Sequence, residues 1–317
     1  MTDTQNEVFK TPVNKIRLFE HGAPGSQNLK LTRKYYTEDM PDGRVKHIVQ
    51  NITDPDIVPY IPDGIGNSTD RQRIPAVLII PGGAFRRLVY NFEGEDVAKW
   101  LNSMGIAAFV LECRLPSDEH DNAEDVPLID AMRAMRVIRG RAQEFGIDEA
   151  KIGVMGFSAG GFMAALLSTA YESDVYADYK YNDEYDKLSA RPDFAVCSYP
   201  VISIDDCIEA GKRYMSEEQV LERISDSKAK ILHKYNPDKL VRPDMPPIFI
   251  CETDDDRTTL SENSVGFYMA ARKAGVSAEL HIFRTGGHGY GCGDDFAQTG
   301  EWKVLFTKWI KSIGIIS

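Results

Sequence analysis

From Ile74 onward the chain alternates short, continuous apolar runs with amphipathic stretches of helical length, and no other feature narrows its choice of fold so far. The apolar runs cover residues 76–80, 106–111, 152–155, 194–198, 248–251 and 278–283. None alternates strictly between apolar and polar, which is the pattern of strands covered on both faces. Between them the spacing predicts helices over residues 94–104, 127–145, 159–171, 260–274 and 296–313. In the second of these, Leu128, Ala131, Met135, Ile138 and Ala142 make one apolar stripe, with Arg133, Arg136 and Arg139 elsewhere. Gly105, Gly146 and Gly275 each stand between a helix and the next strand, where a left-handed cap is wanted. Alternation of this kind specifies a mostly parallel, doubly wound sheet with helices on both faces.

Two stretches depart from the rhythm. The first part, to about residue 73, is rich in Pro, Gly, Asp and Asn and holds two β-like runs, 29–36 and 45–52. The turn signal Pro41-Asp42-Gly43 lies between those runs. Residues 202–244 contain helical material at 216–234 but no convincing strand. The simplest account is a small helical cap inserted over the strand ends of a single domain spanning residues 1–317, since so few residues would make a poor core alone.

Composition removes several classes. A chain of 317 residues, 43% hydrophobic and 27% charged, has the balance of a globular α/β domain. No apolar run approaches the ~18 residues of a membrane span. Lys and Arg total 37 against 48 Asp and Glu, a net charge of −11 that repels phosphate backbones and anionic lipid heads. Neither nucleic acid nor membrane is therefore an expected partner, and oligomeric state is not written in the chain. The five cysteines, Cys113, Cys197, Cys207, Cys251 and Cys292, are odd in number and form no Cys-x-x-Cys. Buried free thiols are expected rather than disulfides or a metal site. The polar start Met1-Thr2-Asp3-Thr4 lacks the basic and apolar regions of a signal peptide, so the expected location is cytoplasmic. The Asn-x-Ser/Thr matches at Asn51 and Asn67 carry weight only in a secreted chain.

The strongest local motif is Gly156-Phe157-Ser158-Ala159-Gly160-Gly161, which has the form G-x-S-x-G. An apolar run enters it and an Ala-rich helical stretch leaves it, the context this motif requires. A strand-to-helix turn so tight needs small flanking residues and presents the serine hydroxyl at the strand's C-terminal edge, beside a helix N-terminus. A glycine-rich helix start with an incidental serine is the bland alternative. Serine needs a base, itself oriented by a third group. Of the histidines after Ser158, His281 falls within a strand-like run and His233 within the cap helix. His288, in Gly286-Gly287-His288-Gly289-Tyr290-Gly291, lies just past the last apolar run and is the chosen base. An acid should leave the preceding strand, where Asp254, Asp255 and Asp256 are adjacent and only one can orient the imidazole. Oxyanion donors are expected from the N–H of Ala159 and from the Pro81-Gly82-Gly83-Ala84-Phe85 loop, through Ala84 or Gly83. No Gly-Lys-Ser/Thr follows that loop, so nucleotide phosphate binding is not indicated.

Taken together these residues resemble the α/β-hydrolase superfamily, and more narrowly its esterases related to acetyl-xylan and feruloyl esterases, the BD-FAE group. The resemblance runs from about residue 17 to 313. It is carried by Arg17-Leu18-Phe19-Glu20-His21-Gly22-Ala23-Pro24-Gly25, Cys113-Arg114-Leu115-Pro116 and Ser198-Tyr199-Pro200-Val201-Ile202, besides the glycine motifs above. It implies an α/β-hydrolase fold with a sheet of about eight strands and a small helical cap. It also implies Ser158 as nucleophile and His288 as base. The family's acid precedes an x-x-Val-Pro segment; here Asp256-Arg257-Thr258-Thr259-Leu260 stands there without the Val-Pro, which favours Asp256, with Asp255 as the alternative acid. Relatives commonly carry a third glycine and a tyrosine where this chain has Ala84-Phe85, and a tyrosine in place of Cys113.

The expected activity is hydrolysis of short-chain acyl esters, acetyl first and of carbohydrates among others, through an acyl-enzyme and without metal or organic cofactor. The expected partner is a small-molecule ester. A prolyl-oligopeptidase-like peptidase is the rival enzyme, but the first ~73 residues cannot form a propeller of several four-stranded blades. A catalytically silent binding protein on the same fold is the rival of another class.

Overall fold

The computed structural model describes residues 9, 13–65, 73–213, 215–216, 218–220, 227–293 and 298–317. Asn67, the start of the helix expected at 296 and part of the 216–234 segment lie outside them, as does the side chain of Cys207. In chain order the strands are β1 (Ile16–Arg17), β2 (Lys34–Asp39), β3 (Val45–Gln50), β4 (Asp56–Tyr60), β5 (Ile74–Ile80) and β6 (Leu88–Val89). They continue as β7 (Ala107–Glu112), β8 (Ile147–Phe157), β9 (Ala195–Ser198), β10 (Ile248–Thr253) and β11 (Ala278–Phe283).

All six apolar runs become strands of one eight-stranded sheet, ordered β1-β4-β7-β5-β8-β9-β10-β11. From β7 to β11 every pairing is parallel, while β4 and β1 are added antiparallel at one side. β7, β9 and β10 are buried along their whole length, as their lack of alternation requires. β11 is different: it is the sheet's edge, half-buried throughout with Ile282 exposed, so the expectation of two covered faces fails there. β2 and β3 form a hairpin at Pro41-Asp42-Gly43, and β6 extends them to a separate three-stranded sheet. β2 begins at Lys34, five residues later than the sequence suggested.

β4 escaped sequence reading because Pro59 stands inside it and proline breaks a central strand. The structure resolves the conflict through register: β1 pairs only with Asp56 and Ile57, leaving the strand an edge at Pro59.

Helix Val126–Gly140 was expected to be amphipathic, but it is buried nearly all round, Arg133 included. Two short 3-10 turns, Asp174–Tyr179 and Glu184–Lys187, supply the partners. Arg133 Nη1 lies 2.8 Å from Asp183 and 3.1 Å from Asp186, and its Nε donates to Leu18 O at 2.9 Å. On the same helix, the wholly buried Asp130 accepts from the guanidinium and the backbone N–H of Arg114, at 2.7 and 2.8 Å. That pair pins the loop after β7; removing one partner would leave a buried charge, at a cost of ~3–5 kcal/mol.

Between β9 and β10 the described residues form helices Ile204–Lys212 and Ser227–Lys234 and no strand. Lys234 and Tyr235 both reach Asp125 at the start of helix Val126–Gly140, tying this segment to the body. β5, β8, β10 and β11 all end at one edge of the parallel sheet, where α/β folds bind their ligands.

Candidate active site

Ser158 follows β8 directly and precedes helix Ala159–Ala170. Its backbone sits at φ 53°, ψ −119°, a strained conformation for a residue with a side chain. Only glycine fits at positions 156 and 160: a Cβ on Gly160 would stand 1.9 Å from Ile80 O, and one on Gly156 equally close to Gly160 O. The motif's small residues thus let β5, β8 and the helix converge. The serine hydroxyl is left nearly buried at the sheet edge.

His288 leaves the end of β11 and brings Nε2 to 2.8 Å from Ser158 Oγ. Its Nδ1 lies 2.6 Å from Asp256 Oδ2. Asp256 is 2% exposed and its other oxygen accepts from the N–H groups of Thr258 and Thr259, at 2.7 and 2.9 Å. Burial opposes ionisation, but the imidazole and these N–H groups outweigh it and hold the carboxyl below its usual range. Asp256 is therefore an acceptor, the imidazole carries its proton on Nδ1, and Nε2 is free to accept from the serine.

The neighbouring aspartates do something else. Asp255 is exposed and its Oδ1 accepts from Gly286 N and Gly287 N, at 2.9 and 2.8 Å, so it braces the loop that carries His288 and does not meet the ring. Asp254 is exposed, and its backbone N–H donates to Phe283 O at 2.8 Å, continuing the β10 to β11 pairing. His281 pairs with Glu279 on β11, and helix Ser227–Lys234 carries His233.

The loop after β5 lies against Ser158, since a Cβ on Gly82 would come 3.0 Å from Ser158 Cβ. Gly82 O accepts from Val89 N at 2.9 Å and Gly83 O from Arg86 N at 3.2 Å. In a trans peptide the N–H points opposite to its C=O, so the N–H groups of Gly83 and Ala84 turn away from those partners. Ala84 and Phe85 both have positive φ, 57° and 60°, unusual outside glycine. Ala159, at the first turn of its helix, has an N–H without an intrahelical acceptor. Beside these groups is a narrow apolar cleft with room for little more than a water molecule, lined by Phe85, Leu88, Cys113, Leu115, Ala159 and Met163. Arg87, at its rim, pairs with Glu38.

Two residues given no role from sequence complete the centre. Glu93, wholly enclosed, accepts from Gly82 N at 2.8 Å and from Tyr199 Oη at 3.0 Å. Tyr199 Oη in turn accepts from Gly291 N at 3.0 Å, and its ring meets His288 edge-on at 5.0 Å. Burial pushes the Glu93 carboxyl up, opposed by His288, Tyr199 and Gly82. Nothing in sequence separates Glu93 from any acidic residue heading a helix; its value comes from a π-helical turn, Asn91–Glu95, that no spacing rule announces. Cys113, Cys197, Cys251 and Cys292 are buried.

A family model described as BD-FAE matches residues 65–270. An acetylxylan esterase from Xylanibacter ruminicola is 31% identical over 240 residues, covering 75% of this chain and 45% of that protein. An endo-1,4-beta-xylanase B from Butyrivibrio fibrisolvens is 31% identical over 227 residues, 71% of this chain and 34% of that protein. The chain thus spans less than half the length of these two curated relatives. Among solved structures, an acetyl ester-xyloside bifunctional hydrolase from Caldicellulosiruptor lactoaceticus superposes with a TM-score of 0.71 at 34% identity, covering 98% of this chain and all of that one.

Proposed function

The chain belongs to the BD-FAE family of α/β-hydrolase fold, and on that premise we propose that it is a serine esterase removing short acyl groups, acetyl first, from an alcohol oxygen. The observation that carries this reading is the unbroken relay from Asp256 through His288 to Ser158, with contacts of 2.6 and 2.8 Å. Ser158 Oγ attacks the ester carbonyl while His288 Nε2 takes its proton. Asp256 holds the ring in the tautomer that can accept and stabilises the imidazolium. The N–H groups of Ala159 and of Gly83 or Ala84 receive the oxyanion, each such donor being worth ~3–4 kcal/mol in comparable sites. The imidazolium protonates the departing alkoxide. Water, deprotonated by the same imidazole, then attacks the acyl-serine, and collapse releases the acid and restores the hydroxyl.

The small apolar cleft beside Ala159 supports a short acyl group. The alcohol part we assign to carbohydrate, on the strength of the acetylxylan esterase and xyloside hydrolase relatives. The described helices Ile204–Lys212 and Ser227–Lys234, the second tied to the body at Asp125, we assign to a small cap over a single catalytic domain. Among the described residues no helix is long and apolar enough to cross a membrane. Ser158→Ala is expected to lower p-nitrophenyl acetate turnover by about 10⁴-fold or more while leaving thermal unfolding in place. Undiminished turnover in a folded Ser158→Ala protein would refute the reading.

A further inference from the structure

We propose that Glu93 is a positioning residue that locks the oxyanion loop and the histidine loop into one rigid frame; the proposal rests on the esterase reading above. Its two carboxylate oxygens have different duties. Oε2 takes the N–H of Gly82, immediately before the residues whose N–H groups receive the oxyanion. Oε1 takes the hydroxyl of Tyr199. The Tyr199 oxygen already accepts from Gly291 N, three residues beyond His288, so its own proton is committed to Glu93. Burial and the adjacent Glu93 keep that hydroxyl protonated. Both neighbours of Glu93 are thus donors, a demand that two carboxylate oxygens meet and an amide cannot, because one of its two heads is itself a donor.

The same segment touches the histidine loop a second way. Gly291 packs so closely on Phe92 that a Cβ there would stand 2.6 Å from Phe92 O, and Trp302 Nε1 donates to Gly291 O at 3.1 Å. The π-helical turn over Asn91–Glu95 is what lets adjacent residues reach both loops, Phe92 through its carbonyl and Glu93 through its side chain. A frame of this kind has its effect when the oxyanion forms, since donors set in advance need no rearrangement. Loosening it should therefore lower kcat and leave substrate binding alone.

In the full chain, Glu93→Gln is expected to lower kcat for p-nitrophenyl acetate by about 10- to 100-fold with KM within about twofold, and to weaken a trifluoromethyl ketone inhibitor by a matching factor. Tyr199→Phe keeps the ring and the Glu93 to Gly82 contact, and should lower kcat by a smaller factor. The double variant should be no slower than Glu93→Gln alone, because both act through one frame. A Glu93→Gln protein with kcat within about threefold of the parent, or with a raised KM and unchanged inhibitor affinity, overturns the proposal. Should Glu93→Gln not fold, Tyr199→Phe decides: a reduced kcat at constant KM supports the frame, and parental kcat overturns it. Fluorophosphonate labelling of the parent separates this from the esterase reading. Labelling of Ser158 with an unchanged Glu93→Gln removes the frame alone, whereas no labelling of Ser158 removes the reading beneath it.

Discussion

At the scale of single residues, the division of labour among three adjacent aspartates turns on which backbone groups each one meets. Asp256 accepts four hydrogen bonds, from Thr258 N, Thr259 N, Thr259 Oγ1 and His288 Nδ1, which fills the acceptor capacity of a carboxylate. Asp255 instead holds the backbone of the loop that delivers His288. Asp256→Asn should therefore cost about 10³–10⁴-fold in kcat by destabilising the required tautomer, and Asp255→Ala only about tenfold or less. Steady-state rates of the two variants test the assignment, and a reversed order would contradict it. The meeting of Ser158 with His288 was foreshadowed in sequence by the glycines around each, and that of His288 with Asp256 only by the family pattern, since charge and position are the same for its neighbours. The contacts of Glu93 and Tyr199 were not legible, although Tyr199 lies in a segment that carried the resemblance. Their roles arise from distances between segments 106 residues apart in the chain, and no local rule encodes those.

At the scale of elements, the six apolar runs predicted strands that all formed, five because a strand buried on both faces leaves a contiguous apolar trace, while β11 keeps such a trace although it is a half-buried edge. What failed were elements defined by their partners. β4 carries a proline, β6 is two residues long, and helix Val126–Gly140 buries Arg133, which lies off the apolar stripe, against the 3-10 turns. The proposed function depends on a similar contextual feature, the small cleft formed where the loop after β5 meets the loop after β7. With Phe85 and Leu115 bounding it, activity on p-nitrophenyl esters should fall by about tenfold or more from acetyl to octanoyl. A kcat/KM series across acyl lengths checks this, and a preference for octanoyl would overturn the acyl assignment.

At the scale of the whole molecule, the sheet brings four loops to one edge. The loops after β5 and β8 come from adjacent strands, as do those after β10 and β11, with β9 between the two pairs. In the proposed mechanism each loop adds one function: oxyanion donors, nucleophile, acid and base. The buried Arg114–Asp130 pair and the aromatic packing of Trp100, Phe157, Trp302 and Phe306 hold that edge from beneath. The account's central claim is that the relay makes Ser158 a transient acyl carrier. Its most direct test is intact-mass and peptide-mapping analysis of protein quenched early in turnover of an activated acetyl ester. The account predicts one added acetyl group, located on Ser158 and absent from Ser158→Ala. Turnover proceeding with no acetyl on Ser158 under conditions where the burst of released alcohol is seen would contradict it.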